Sequence, residues 1–120
     1  MRFIILIISL MMISCQNENK AKFEITNNSG NTIDSICIKS FSHNLNTHYL
    51  KLEHSESQTY FLDMTDIPQV DGDYLLSFRI NNNLEKRRFG YFTNGSPLEQ
   101  RTKIEIRKDT VIIKPIFDKY

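Results

Sequence analysis

The chain has 120 residues, with 15 Lys and Arg against 14 Asp and Glu and a formal net charge of +1. That balance gives no bulk attraction to nucleic acid, and the length admits one domain but not two. No Trp occurs, and two cysteines, Cys15 and Cys37, are too few for a disulfide-stapled scaffold.

Met1 and Arg2 precede an apolar run of eleven residues from Phe3 to Ile13, broken only by Ser9 and followed by Ser14 and Cys15. A charged start, a short apolar core and small residues at the end are the order of a secretory signal. At about 1.5 Å per residue the run covers about half of a bilayer's hydrocarbon core, so it is too short to span as a helix. Met12-Ile13-Ser14-Cys15 resembles the lipobox of bacterial lipoproteins. The resemblance implies a signal peptide over 1–14, cleavage before Cys15, a diacylglycerol on that cysteine and an acylated amino terminus. The partner so implied is the membrane, reached through a palmitate-type anchor, because several acyl chains hold stably where one binds only marginally.

Residues 15–21 read as the lipidated cysteine and a polar tether, and 22–120 as the folded domain. Gln16-Asn17-Glu18-Asn19 and the Asn-, Ile- and Lys-rich composition also look like small envelope lipoproteins of Bacteroidota. That resemblance implies the outer membrane of a bacterial cell envelope and leaves the periplasmic or surface face open.

From Phe23 onward apolar residues recur with period two between clusters of Asn, Gly, Asp and Pro. Phe23 and Ile25 mark a first strand, closed by the turn formers Asn27 to Asn31. A second runs from Thr32 to Phe41 with apolar residues on both faces. His48, Leu50, Leu52 and His54 share one side of a third, and Thr59 to Leu62 gives a short fourth. After Asp66-Ile67-Pro68 and an Asp71-Gly72 turn, the fifth strand places Tyr74, Leu76, Phe78 and Ile80 on one buried face, and Asn81-Asn82-Asn83 ends it. Arg87 to Thr93 forms a sixth, stopped by Asn94-Gly95-Ser96-Pro97. Lys103 to Arg107 is a seventh, and Thr110 to Phe117 an eighth after a Lys108-Asp109 turn.

No segment beyond the signal shows helical period, so the expected fold is all-β, an antiparallel β-sandwich of seven to eight strands. Asp71-Gly72-Asp73-Tyr74 resembles the tyrosine corner of immunoglobulin-like sandwiches, which implies a phenol bonded back to the preceding loop. Leu76 stands where the immunoglobulin cysteine would be, so an immunoglobulin-like or a transthyretin-like sandwich fits.

The chemical inventory is thin. Cys37, in Ile36-Cys37-Ile38, reads as a small buried hydrophobe. His48 and His54 lie six residues, about 20 Å, apart along a strand and cannot share a metal, and His43 is further away. Asp63, Asp66, Asp71 and Asp73 gather around one loop, where turn formation competes with calcium binding, and no Asp-x-Asp-x-Asp-Gly spacing is present. Gly-x-Ser-x-Gly, Ser-x-x-Lys and phosphate loops are absent too, so neither catalysis, metal nor cofactor is expected.

The most suggestive surface is Lys86 to Gly95, with Arg87, Arg88, Phe89, Tyr91 and Phe92 as candidate binding residues. Strict alternation buries either Phe89 and Tyr91 or Arg88, Gly90 and Phe92, leaving a ring near solvent beside a basic stripe that suits a protein or glycan partner. Alternatively both sets pack and the Arg stems cover them. Asp34-Ser35-Ile36 and Asp109-Thr110-Val111 look like the O-glycosylation acceptor of Bacteroidota. Charge is uneven: residues 15–73 carry a net −5 and 74–120 a net +5, which suits ion pairs between strands from the two halves.

The expectation is a membrane-anchored envelope lipoprotein with a non-catalytic binding domain whose partner is an envelope protein or a glycan. The alternative is an inhibitor or immunity-type protein that blocks an envelope or secreted hydrolase with a loop at Asn94 to Gln100 or His43 to Thr47.

Overall fold

A strand in which Ala21, Phe23, Ile25 and Asn27 point one way buries only that side, and it needs a second layer to do so. The computed structural model describes residues 19–42 and 48–117, of which 66% lie in strands and none in a helix. The signal segment 1–14, Cys15 and the stretch from His43 to Thr47 lie outside the described residues.

Nine strands are described: β1 (Lys20–Asn28), β2 (Ile33–Ser40), β3 (Leu50–Leu52), β4 (Ser57–Asp63), β5 (Gly72–Ile80), β6 (Asn83–Thr93), β7 (Ser96–Pro97), β8 (Arg101–Arg107) and β9 (Val111–Ile116). A four-stranded sheet, β4-β1-β8-β9, packs on a five-stranded sheet, β3-β2-β5-β6-β7, to form the β-sandwich. Lys20 and Ala21, at the end of the stretch read as tether, already belong to β1.

Three details differ from the sequence expectation. β3 spans three residues, so neither His48 nor His54 belongs to it. The short β7 forms where a stop was expected, because Asn94 and Gly95, both at positive φ (51° and 68°), turn the chain back onto β6. Most pairings are antiparallel, but β1 and β8 run parallel, with Ile25 opposite Ile104. β8 reaches β1 only after the chain has built the whole other sheet, so no hairpin dictates their direction.

The core lies between the sheets. Phe23, Ile25, Tyr60, Leu62, Ile104 and Ile106 from one layer meet Ile33, Ile36, Ile38, Tyr74, Leu76, Phe78 and Phe92 from the other, all buried. Phe23 places its ring edge-on against Tyr74 (5.1 Å between centroids) and Phe89 (5.7 Å), which joins the layers through aromatic contacts worth about 0.5–1.5 kcal/mol each beyond their burial.

One buried polar residue is fully satisfied. Asn27 donates through Nδ2 to the carbonyls of Asn31 (2.7 Å) and Leu52 (2.9 Å), and its Oδ1 accepts from the Ser29 amide (3.0 Å) and hydroxyl (2.7 Å). It therefore ties the β1–β2 turn to the end of β3 at no desolvation loss.

β5 and β6 form a hairpin whose two turn residues, Asn81 and Asn82, both take positive φ (50° and 65°), the backbone that a two-residue hairpin needs. Further along β6, Tyr74 pairs with Phe89 but Gly72 pairs with Phe92, so β6 holds one extra residue. Gly90 (φ 68°) marks this bulge, and a Cβ there would lie 2.9 Å from the Tyr74 ring. Only glycine combines that backbone with that approach.

Candidate functional site

The bulge at Gly90 resorts the residues that alternation alone would have assigned. Phe89 and Phe92 both turn inward, Phe92 fully buried and Phe89 packed on the core, while Tyr91 stays outside. Neither reading, one set buried or both packed, describes this strand: each set sends one ring inward, because the extra residue shifts the phase of the strand between Phe89 and Phe92.

Arg87 and Arg88 do not form one stripe. Arg87 pairs with Leu76, on the core side, and lines a cleft of about 190 Å³ at the sheet edges with Glu85, Arg107 and Asp109. Arg88 pairs with Leu75, donates to Asp73 through Nε (2.8 Å) and Nη2 (3.2 Å), and lays its guanidinium 3.6 Å over the Phe41 ring. Of the five candidates, then, Arg88 and Tyr91 share the outer face, and Tyr91 donates its hydroxyl to Asp71 (3.0 Å).

That outer face carries a feature the linear sequence hides. The register sets Asp34 beside Arg79 and Leu84, Cys37 beside Ser77 and Lys86, and Lys39 beside Leu75 and Arg88. A shallow hollow of about 350 Å³ results, lined by Ser35, Lys39, Tyr49, Leu75, Ser77, Arg79, Leu84 and Lys86. Three cations line it and no carboxylate does; none of the three forms an ion pair with a described residue, and the nearby Asp73 is held by Arg88. Asp34 stands at the rim beside Arg79. Tyr49 (68% exposed) and Leu84 (51%) add apolar surface.

Lys39, Tyr49, Arg79 and Lys86 come from four separate segments, so only strand pairing brings them together. A larger hollow, about 400 Å³, lies on the outer face of the four-stranded sheet, but Glu24 and Glu105 there offset Lys103 and Lys114. Arg101 pairs with Glu24 (3.4 Å) and Arg107 with Glu105 (2.8 Å), so that face largely neutralises itself. The Arg88–Asp73 and Arg101–Glu24 pairs join the acidic and basic halves of the chain.

The other candidates are occupied locally. Asp63 accepts from the Thr65 amide and hydroxyl, which holds its carboxyl below the usual range; Asp71 accepts from Tyr91 and from the Asn94 amide. Among the described residues no three His, Cys, Asp or Glu come together as metal ligands. His48 stacks on Tyr60 at 4.0 Å, and His54 Nδ1 accepts from the Gly30 amide (3.0 Å). His43 is outside the described residues.

Cys37 is buried, with its sulfur 3.8 Å from the Tyr60 hydroxyl, which donates to the His48 carbonyl (2.8 Å). Burial, reinforced by Cys37, pushes the Tyr60 phenol upward. The Tyr74 phenol meets Met64 Sδ of the preceding loop (3.7 Å) rather than a backbone carbonyl, and it also interacts with the buried Glu99 carboxyl, which burial raises. Ser35, at a bulge with φ 54°, and Thr110, in a turn, both lie exposed. Residues 94–100 form a tight turn and the short β7 rather than a long loop.

No protein-family model matches the chain, and comparison with curated proteins found no match.

Proposed function

We propose that the chain is a lipid-anchored protein of the bacterial envelope, held through Cys15, whose sandwich binds an acidic partner and performs no chemistry of its own. The observation that carries the binding half is the outer hollow of the five-stranded sheet, where Lys39, Arg79 and Lys86 sit together, with no ion-pair partner among the described residues, beside Tyr49 and Leu84. Like charges gathered on one face repel one another, and an anionic partner removes that repulsion while the ring and the leucine supply desolvated area. The hollow is shallow and open, which suits a segment of an acidic protein or glycan lying across the strands better than an enclosed small molecule.

The test of the site places a photoreactive residue at Leu84 in the full chain and compares wild type with the Lys39→Glu, Lys86→Glu double variant in intact envelopes. The wild type should give a cross-linked species that the double variant loses, with Tm nearly unchanged, since exposed charges contribute little to folding. Cross-links that survive the reversal would place the binding surface elsewhere. For the anchor, Cys15→Ser should release the protein from membranes and abolish labelling by a fatty-acid probe; a variant that still labels and stays membrane-bound refutes the lipid attachment.

A further inference from the structure

We infer that the sandwich stands upright on the bilayer, with the end that carries Asn19 pressed into the headgroup layer by its own exposed apolar side chains. This orientation rests on the Cys15 anchor proposed above. Asn19 is not loose chain: its Nδ2 donates to the Gly95 carbonyl (2.7 Å), and its carbonyl accepts from the Met64 amide (2.7 Å). Only four residue steps separate it from Cys15, so whatever their conformation the lipidated cysteine lies within about 14 Å of this end. β1, nine residues long, climbs about 30 Å away from it. The reach is thus less than half the height of the sheet, which leaves two arrangements, upright or tipped onto a side.

The distribution of exposed apolar residues selects the first. Around Asn19 the loops carry Val70 (42% exposed), Leu98 (50%) and Phe117 (57%), with Phe41 and Tyr91 on the rim. They belong together because Gly95 donates to the Val70 carbonyl, Gln100 to the Ile116 carbonyl and Phe41 to the Asp73 carbonyl, all at the same end of the strands. The opposite end consists of the turns at 29–31, 53–56, 81–82 and 108–110, and every residue in those turns is polar or glycine. Tyr49, Phe61, Leu84 and Ile112 are exposed too, but they lie along the sheets, so of the two ends only the one that bears the lipid anchor carries exposed apolar side chains in its loops. That placement suits insertion into the boundary between headgroups and acyl chains, where Tyr is also favoured.

The acids of this end do not oppose such contact strongly. Asp63, Asp71 and Asp73 each accept hydrogen bonds from neighbouring groups, though Asp66 has no such partner among the described residues. The contact is apolar rather than electrostatic, and it should therefore resist salt. Upright placement also leaves the hollow of the five-stranded sheet facing sideways, free to meet a partner in the plane of the membrane.

Because the chain contains no Trp, a single introduced one reports without background. The acylated full-length protein is reconstituted in phosphatidylethanolamine–phosphatidylglycerol vesicles whose acyl chains carry bromine. Val70→Trp and Leu98→Trp should lose most of their emission and shift to the blue, unchanged by added salt, whereas Leu84→Trp and Ile112→Trp should stay unquenched. Equal quenching at all four positions, stronger quenching at Leu84→Trp or Ile112→Trp, or quenching that salt abolishes overturns the orientation. An acylated protein unquenched at Val70→Trp and Leu98→Trp overturns it while leaving the anchor standing; a protein that carries no acyl chain overturns both.

Discussion

The two outer faces of the sandwich follow the same alternating pattern and end with different surfaces. On the four-stranded sheet Glu24 and Glu105 take up Arg101 and Arg107, and Thr26 bonds Ser57 (2.7 Å). On the five-stranded sheet Lys39, Arg79 and Lys86, around Tyr49 and Leu84, have no ion-pair partner among the described residues. Binary patterning decides which residues face water, but register decides whether they satisfy one another. A polar face that closes on itself needs no partner; one that does not is a place to look for function.

The contrast presupposes a shared core, and the largest effect tests that. Phe78→Ala should cost about 3–5 kcal/mol, against a few tenths for Ser77→Ala on the other side of the same strand, measured by denaturant unfolding. Similar losses would mean that the outer face is not a surface at all. Next comes the bulge that builds the five-stranded face: Gly90→Ala forces a left-handed backbone and drives Cβ into the Tyr74 ring, and should cost about 1–3 kcal/mol. A neutral result would show that β6 can run straight, with Tyr91 free to turn inward.

The loop where the chain crosses from one sheet to the other holds Glu99, whose carboxyl burial keeps above its ordinary range. Folding therefore favours its protonated form: that stabilisation is complete below the unfolded carboxyl value and is lost as pH rises through the higher folded value. Glu99→Gln should raise Tm at neutral pH relative to wild type, with the difference vanishing in acid. A gap that widens in acid would reverse the assignment. The smallest effect compares the faces directly. Glu24→Gln removes a partner of Arg101 and should cost about 0.2–1 kcal/mol at low salt, whereas Lys86→Gln should cost nothing and gain slightly as repulsion falls. A loss at Lys86 equal to that at Glu24 would erase the distinction between the two surfaces.

Much of the fold was legible. Phe23 with Ile25, and Tyr74 through Ile80, carry a side-chain period that survives any topology, so the strands and their buried faces followed from them. The parallel pairing of β1 with β8 did not, because alternation is blind to strand direction. Gly90 is visible as a glycine in a strand but not as a change of phase, so alternation could not tell that Phe89 and Phe92 both turn inward while Tyr91 stays out. Separation of Arg87 from Arg88 was available from alternation itself. The four partners of Asn27 were not, since they come from backbone and side-chain atoms of Ser29, Asn31 and Leu52 that meet only in the folded turn. The hollow was hidden in part for the same reason: Arg79 and Lys86 flank the hairpin turn at Asn81-Asn82, but Lys39 and Tyr49 come from segments that only the fold brings beside them.

The parallel contact of β1 has a mechanical side. β1 lies between β4 and β8, bonded along both flanks from Phe23 to Asn28 on one side and from Lys20 to Thr26 on the other. Tension delivered from residues before Lys20 runs along the strand axis, so it shears both ladders at once instead of peeling one bond after another. Resistance to such a pull is set by the rate of unfolding under load rather than by equilibrium stability. A protein tugged at its amino end thus bears the strain on a central strand held by two ladders, where an edge strand such as β9 has only one.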